Sequence, residues 1–233
     1  MAGWITHMRI ADEVLQILPE LERTAFCMGS IAPDCNVENK DWTAFTPPRE
    51  VTHWMTDEQK ASADYEGFYA AYLNGKELSG EERSFYWGYI AHLMLDAAFY
   101  RLLHDERRIA ACWERIDAVP CLRKAAKDQP RTWESIKRIF GKKNVFGGIV
   151  AMERVYLDTH PESAYLTVLQ TVRTFPDYLS YLPQGAILRK IGVMGTVPPK
   201  HTGEIDQLFF TCEEIEAYLA DALSQIVRRI KMG

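Results

Sequence analysis

A histidine and an aspartate stand four residues apart at His92 and Asp96, inside an otherwise apolar run of Ala91, Leu93, Met94, Leu95, Ala97, Ala98 and Phe99. At that spacing on a helix both side chains leave from one face, so an imidazole and a carboxylate can meet the same cation. A helix that is apolar on nearly every side is a buried one, and a buried aspartate is costly unless it is paired or bound to a metal. Asp96 is therefore the most informative residue in the chain. Three more donors lie upstream in apolar company. Asp34 follows Ser30-Ile31-Ala32-Pro33, His53 sits between Val51-Thr52 and Trp54-Met55, and His7 adjoins Trp4 and Ile5. Three neutral imidazoles with two carboxylates suit Zn²⁺, and less specifically Mn²⁺ or Fe²⁺.

Each residue has a plainer reading beside that one. His7 alone reads as a packed core histidine, His92 and Asp96 as a hydrogen-bonded couple without metal, and Asp34 as a turn or helix cap after Pro33. Tyr86 and Tyr89 either present hydroxyls to the site or pack in the core, and Trp42 and Trp54 either line a cleft or pack. Arg101, just past Asp96, reads as a solvated helix charge, with anion binding as the alternative.

The elements that must position these groups are helical almost throughout. Ile10, Val14, Leu15, Ile17 and Leu18 mark one face of a first helix that Pro19 ends, and a short second helix runs from Leu21 to Met28 and stops at Gly29. From Ser30 to about Thr56 the chain reads as a long loop, a common location for function. A third helix is predicted from Thr56 to Leu73, with a break at Asn74-Gly75. Ser79 followed by Glu82 is a capping-box pattern. It opens the helix that carries His92 and Asp96, which runs to Leu103 or beyond, with a second segment to Ile116. Further helices are predicted at Trp133–Phe140, Val145–Asp158, Glu162–Thr174 and Glu213–Lys231. The stretch 180–204 reads as a loop or lid, and strands have little support. The expectation is an all-α chain, a single multi-helix domain over 1–233, with the metal site built from residues 1–105 and C-terminal helices within 130–233 completing the core.

Composition narrows the partners. The net charge is −5, which argues against a nucleic-acid scaffold held by Lys and Arg on phosphates. It leaves a phosphate-bearing substrate open, because a metal brings its own charge. No run of about twenty apolar residues exists, so no membrane span is expected. Five scattered cysteines without a CxxC pair, and no signal-peptide pattern, lead to the expectation of a cytoplasmic protein.

Four segments occur in a telling order: Trp4-Ile5-Thr6-His7, Gly29-Ser30-Ile31-Ala32-Pro33-Asp34, Thr52-His53-Trp54, and Gly88-Tyr89-Ile90-Ala91-His92-Leu93-Met94-Leu95-Asp96. Together they resemble the bacterial zinc-dependent phospholipase C family, over roughly the first 105 residues. The resemblance implies an all-helical fold in which Asp34, His53, His92 and Asp96 ligate one zinc. It further implies that His7 reaches a second zinc sharing Asp96, and that Asp34 activates the attacking water. Two departures stand out. The family's fully equipped enzymes bind metal through the amine of an N-terminal tryptophan, whereas Met1-Ala2-Gly3 precede Trp4 here. The family's further histidines and glutamate for another zinc are not matched: only His104 follows nearby, with Asp105 and Glu106, and the pattern differs; His160 and His201 are too distant to assign. One secure zinc, with room for a second, is the expectation.

The function expected is metal-dependent hydrolysis of a phosphoester, on a small-molecule or lipid substrate. Two alternatives stay open. One is a non-catalytic binding module with a closed structural metal. The other is an HD-type phosphohydrolase built on His104-Asp105.

Overall fold

The computed structural model describes residues 3–56 and 63–233. Among the described residues there are thirteen α-helices: α1 (Trp4–Ile17), α2 (Arg23–Gly29), α3 (Arg49–Thr52), α4 (Tyr65–Tyr72), α5 (Gly80–His104), α6 (Glu106–Ala118), α7 (Pro120–Ala125), α8 (Trp133–Phe140), α9 (Lys142–Val145), α10 (Gly147–Thr159), α11 (Ala164–Thr167), α12 (Ala186–Met194) and α13 (Cys212–Lys231). One continuous hydrophobic core takes residues from Trp4 in α1 to Ile230 in α13.

The long helix α5 is the axis. Its start is the capping box, with the Ser79 hydroxyl accepting from the Glu82 N–H and the Glu82 side chain reaching back to the Ser79 N–H. From Ser84 to Phe99 every residue is buried, as the all-round apolar pattern demanded. Against it lies α2, at a distance only glycine permits. A Cβ on Gly29 would stand 1.9 Å from the Phe85 carbonyl oxygen, and one on Gly88 would stand 2.1 Å from that of Phe26. Each glycine thus receives the other helix's backbone. On another flank α13 is tied in by the Tyr218 hydroxyl, which donates to the Leu95 carbonyl at 3.2 Å.

The loop after α2 is more structured than its prolines suggested. It contains a 3-10 turn at Ala32–Asp34, a two-residue antiparallel pair of β1 (Val37–Glu38) with β2 (Phe45–Thr46), and the short helix α3. That small sheet is a correction to a strandless reading; Asn39 makes it possible, its side-chain oxygen accepting from the N–H groups of Thr43 and Ala44 to close the turn. The helix predicted from Thr56 is seen from Tyr65, capped by Asp64; residues 57–62 of that prediction lie outside the described residues.

Two further corrections concern the second half. The helix predicted over 162–174 is only α11, four residues long. Thr167 and Thr171 turn their hydroxyls onto the carbonyls of Ser163 and Thr167, at 3.0 and 2.6 Å, and with Val168 and Val172 they make a β-branched run that resists helix. Conversely the predicted loop 180–204 holds α12, entered through Gly185 in a left-handed conformation (φ 68°) and capped by Gly195. Both glycines act as punctuation at the ends of a helix. Lys190 of α12 is buried and pairs with Glu38 of β1 at 2.7 Å, which straps the small sheet to the body.

Candidate metal centre

Four segments converge. His7 leaves the first turns of α1, Asp34 closes the 3-10 turn, His53 caps α3, and His92 and Asp96 project from the middle of α5. All five are buried; Asp96 is 2 % exposed and Asp34 7 %. Nε2 of His7 lies 3.6 Å from Oδ1 of Asp96, while Nε2 of His53 and of His92 each lie 3.8 Å from Oδ2. The Asp96 carboxylate thus turns one oxygen to His7 and the other to the remaining pair. His53 Nε2 is also 3.4 Å from Asp34 Oδ1.

The rings are oriented from behind. Nδ1 of His92 lies 2.8 Å from the Ser30 carbonyl oxygen, and Nδ1 of His53 lies 3.2 Å from that of Arg49. A carbonyl only accepts, so Nδ1 of His92 carries the hydrogen and its Nε2 turns a lone pair toward Asp96, while Nδ1 of His53 also meets the Thr52 hydroxyl at 3.1 Å. The approach of α2 to α5 through Gly29 and Gly88 places that Ser30 carbonyl. The His7 and His92 rings stack at 3.9 Å with 5° between their planes. Burial, and less strongly the adjacent His7, holds His92 well below the ordinary imidazole pKa, so it is neutral.

Among the described residues no hydrogen-bond partner meets Nε2 of His7, His53 or His92, although all three atoms are buried. Three convergent, unpartnered ring nitrogens beside two carboxylates are what a cation would satisfy. The donors fall into two sets within 4.8 Å, His7 with His92 and Asp96, and Asp34 with His53 and His92. A nitrogen-rich donor set with carboxylate oxygens fits Zn²⁺.

Two contacts at the site were not anticipated from sequence. The Trp4 indole N–H donates to Asp34 Oδ2 at 3.2 Å, and an Arg49 Nη2 lies 3.5 Å from Asp34 Oδ1. Trp4 therefore reaches the centre through its ring, with its backbone inside α1. The sequence pointed to Trp4 through the family's N-terminal tryptophan, but as a backbone amine and not through its ring. For Arg49 the signal was its i−4 position relative to His53, readable once α3 is known.

The other polar candidates are elsewhere. His104 stacks on Tyr100 at 4.0 Å and Asp105 caps α6 through the Arg108 N–H, which corrects the HD-type alternative: the dipeptide is a helix junction. His104 is two turns past Asp96 and lines an open groove of about 730 Å³ with Trp113 and Trp133. Arg101 reaches Gln225 of α13 and His160 stacks on Tyr156. The Tyr89 hydroxyl donates to the Thr52 carbonyl and receives one from Tyr181 at 2.9 Å, so it braces the segment before His53. Tyr86 donates to the Tyr178 carbonyl. Trp54 packs edge-on against Phe68, and Trp42 is exposed on the small sheet.

Residues 6–145, more than half of the chain, match the family model described as zinc dependent phospholipase C. No curated protein and no solved structure gives a match. The matched span takes in all five converging donors and ends at α9, so on this evidence the chain belongs to the zinc-dependent phospholipase C family of phosphoester hydrolases.

Proposed function

We propose that the enclosed centre is the active site and that Asp34, His53, His92 and Asp96 hold one zinc, with His7 and the second oxygen of Asp96 offering a place for another. The observation that carries this reading is the convergence of three buried, unpartnered imidazole nitrogens on the two oxygens of Asp96. Zinc, when bound, supplies Lewis acidity and makes water nucleophilic near neutral pH.

The remaining roles belong to the chain. Asp96 offers one oxygen on the His7 side and the other on the side of His53 and His92. The Ser30 carbonyl fixes which nitrogen of His92 faces the centre, and the Arg49 carbonyl with the Thr52 hydroxyl holds the His53 ring from behind. Asp34 is the proton acceptor for the attacking water, its second oxygen steadied by the Trp4 indole. The buried, apolar surroundings exclude bulk water and strengthen every charge interaction inside. The substrate is a phosphoester of a small molecule or a phospholipid; no helix among the described residues is long and apolar enough to cross a membrane. The reading also takes the protein as cytoplasmic, supported by five cysteines that are all free thiols, three of them buried.

Elemental analysis and phosphodiester turnover of zinc-loaded and chelator-treated protein test the assignment. Turnover that follows zinc, and is lost with zinc in His92→Ala, is the expected result. Tight zinc without turnover of any phosphoester supports a closed structural site instead.

A further inference from the structure

The five donors are enclosed, but Arg49 is not: its side chain is 30 % exposed while its Nη2 lies 3.5 Å from Asp34 Oδ1. That oxygen also faces His53 Nε2 at 3.4 Å, so the guanidinium stands one carboxylate oxygen away from the converging nitrogens. Lys190 of α12 is instead buried, pairs with Glu38 and lies over the Trp42 and Phe45 rings. Arg189 is bound to the same glutamate.

We propose that Arg49 is the residue that recognises the substrate's anionic phosphoryl group and selects phosphoesters over neutral carboxyl esters. This rests on the reading of the centre as a phosphoester hydrolase site. A guanidinium presents a planar fork of N–H donors that matches two phosphoryl oxygens, and it is weakly enough hydrated to follow them into a buried site. Its backbone is fixed by α3, where its own carbonyl accepts from His53, so the fork is aimed by the element that places a candidate ligand. In the free protein the fork rests against Asp34. A bound phosphodiester offers it a further anion whose charge grows in the transition state, where an aligned donor has most effect. A neutral ester offers no such charge.

The test compares zinc-loaded wild type, Arg49→Gln and Arg49→Lys. Three quantities are measured: zinc content, the calorimetric Kd for inorganic phosphate, and kcat/KM on bis(p-nitrophenyl) phosphate and on p-nitrophenyl acetate. Arg49→Gln is expected to keep its zinc, to bind phosphate at least about tenfold more weakly, and to lose about 10²-fold on the phosphodiester. Its rate on the acetate ester is expected to change by less than about threefold if that ester is turned over at all. Arg49→Lys, which keeps the charge but not the fork, is expected between the two. Equal losses on both esters, unchanged phosphate binding, or loss of zinc from both variants overturns the proposal, the last because the guanidinium would then only hold Asp34. Phosphate binding is read without turnover. A wild type that binds phosphate through Arg49 but hydrolyses nothing sinks the hydrolase reading and leaves the anion site standing.

Discussion

The carbonyl oxygen of Ser30 lies 2.8 Å from Nδ1 of His92, joining the end of α2 to the middle of α5. That contact fixes the tautomer of the most deeply buried imidazole and aims its other nitrogen at Asp96. If the convergence of donors is a metal centre, His92→Ala and Asp96→Ala each remove a ligand and lower zinc affinity by more than ~100-fold, beyond the 10–100-fold cost of losing a group behind a ligand. Zinc per chain after dialysis against a weak chelator checks this. Retention of zinc by both variants places the ion elsewhere.

Trp4 supplies a gentler probe. Its indole N–H is the hydrogen bond on the outer oxygen of Asp34. Trp4→Phe keeps most of the packing and removes that donor, so zinc affinity is expected to fall by ~10–100-fold while the helix content stays the same. An affinity equal to wild type means the indole only fills space.

Without metal, His92 makes folding pH-dependent with a definite sign. Burial, the larger cause, and His7 hold its pKa well below 6.5. The unfolded chain then takes up a proton as pH falls through about 6.5 while the folded chain does not, so stability rises with pH. Chelator-treated protein is expected to lose stability between pH 7 and 5, this one group approaching ~1.4 kcal/mol per pH unit below its unfolded pKa. Urea midpoints at several pH values measure it, and in His92→Gln the slope becomes shallower. A slope unaltered by that substitution removes His92 as the cause.

The helix crossing can be tested alone. A methyl on Gly88 would meet the Phe26 carbonyl at 2.1 Å, a backbone atom that no side-chain rotation can clear. Gly88→Ala is expected to cost at least ~1–3 kcal/mol by overpacking, despite the better helix propensity of alanine. Gly192→Ala, where a Cβ meets nothing within 4 Å, is the control and is expected to be neutral or slightly stabilising. Chemical denaturation of both variants gives the comparison.

Much of this was readable before any coordinates. The i,i+4 pair on an apolar helix, the capping box at Ser79 and the apolar settings of His7, Asp34 and His53 came from local pattern, because burial of a polar group is written in its neighbours. Periodicity also located α1, α5, α8 and α13. What sequence did not disclose depends on contacts between distant segments. Arg49 became visible as part of the site only when α3 folded back onto the 3-10 turn, since an arginine followed by Glu50 and Val51 looks like any solvated helix start. Lys190 lies in a stretch whose glycines and prolines read as loop, and its partner Glu38 is 152 residues away. Likewise α11 is short because threonine hydroxyls compete for its carbonyls, a local effect that apolar spacing does not register.

The mutual seating of Gly29 and Gly88 bears on the metal. With each helix's backbone lodged in the other's only gap, α5 cannot ratchet by one 5.4 Å turn without driving a larger side chain into a peptide group. The span between donors on α5 and donors that follow α2 is thereby locked mechanically. If those donors hold an ion, the spacing between the helix ligands and the loop ligands is framed by a crossing that contains no ligand at all.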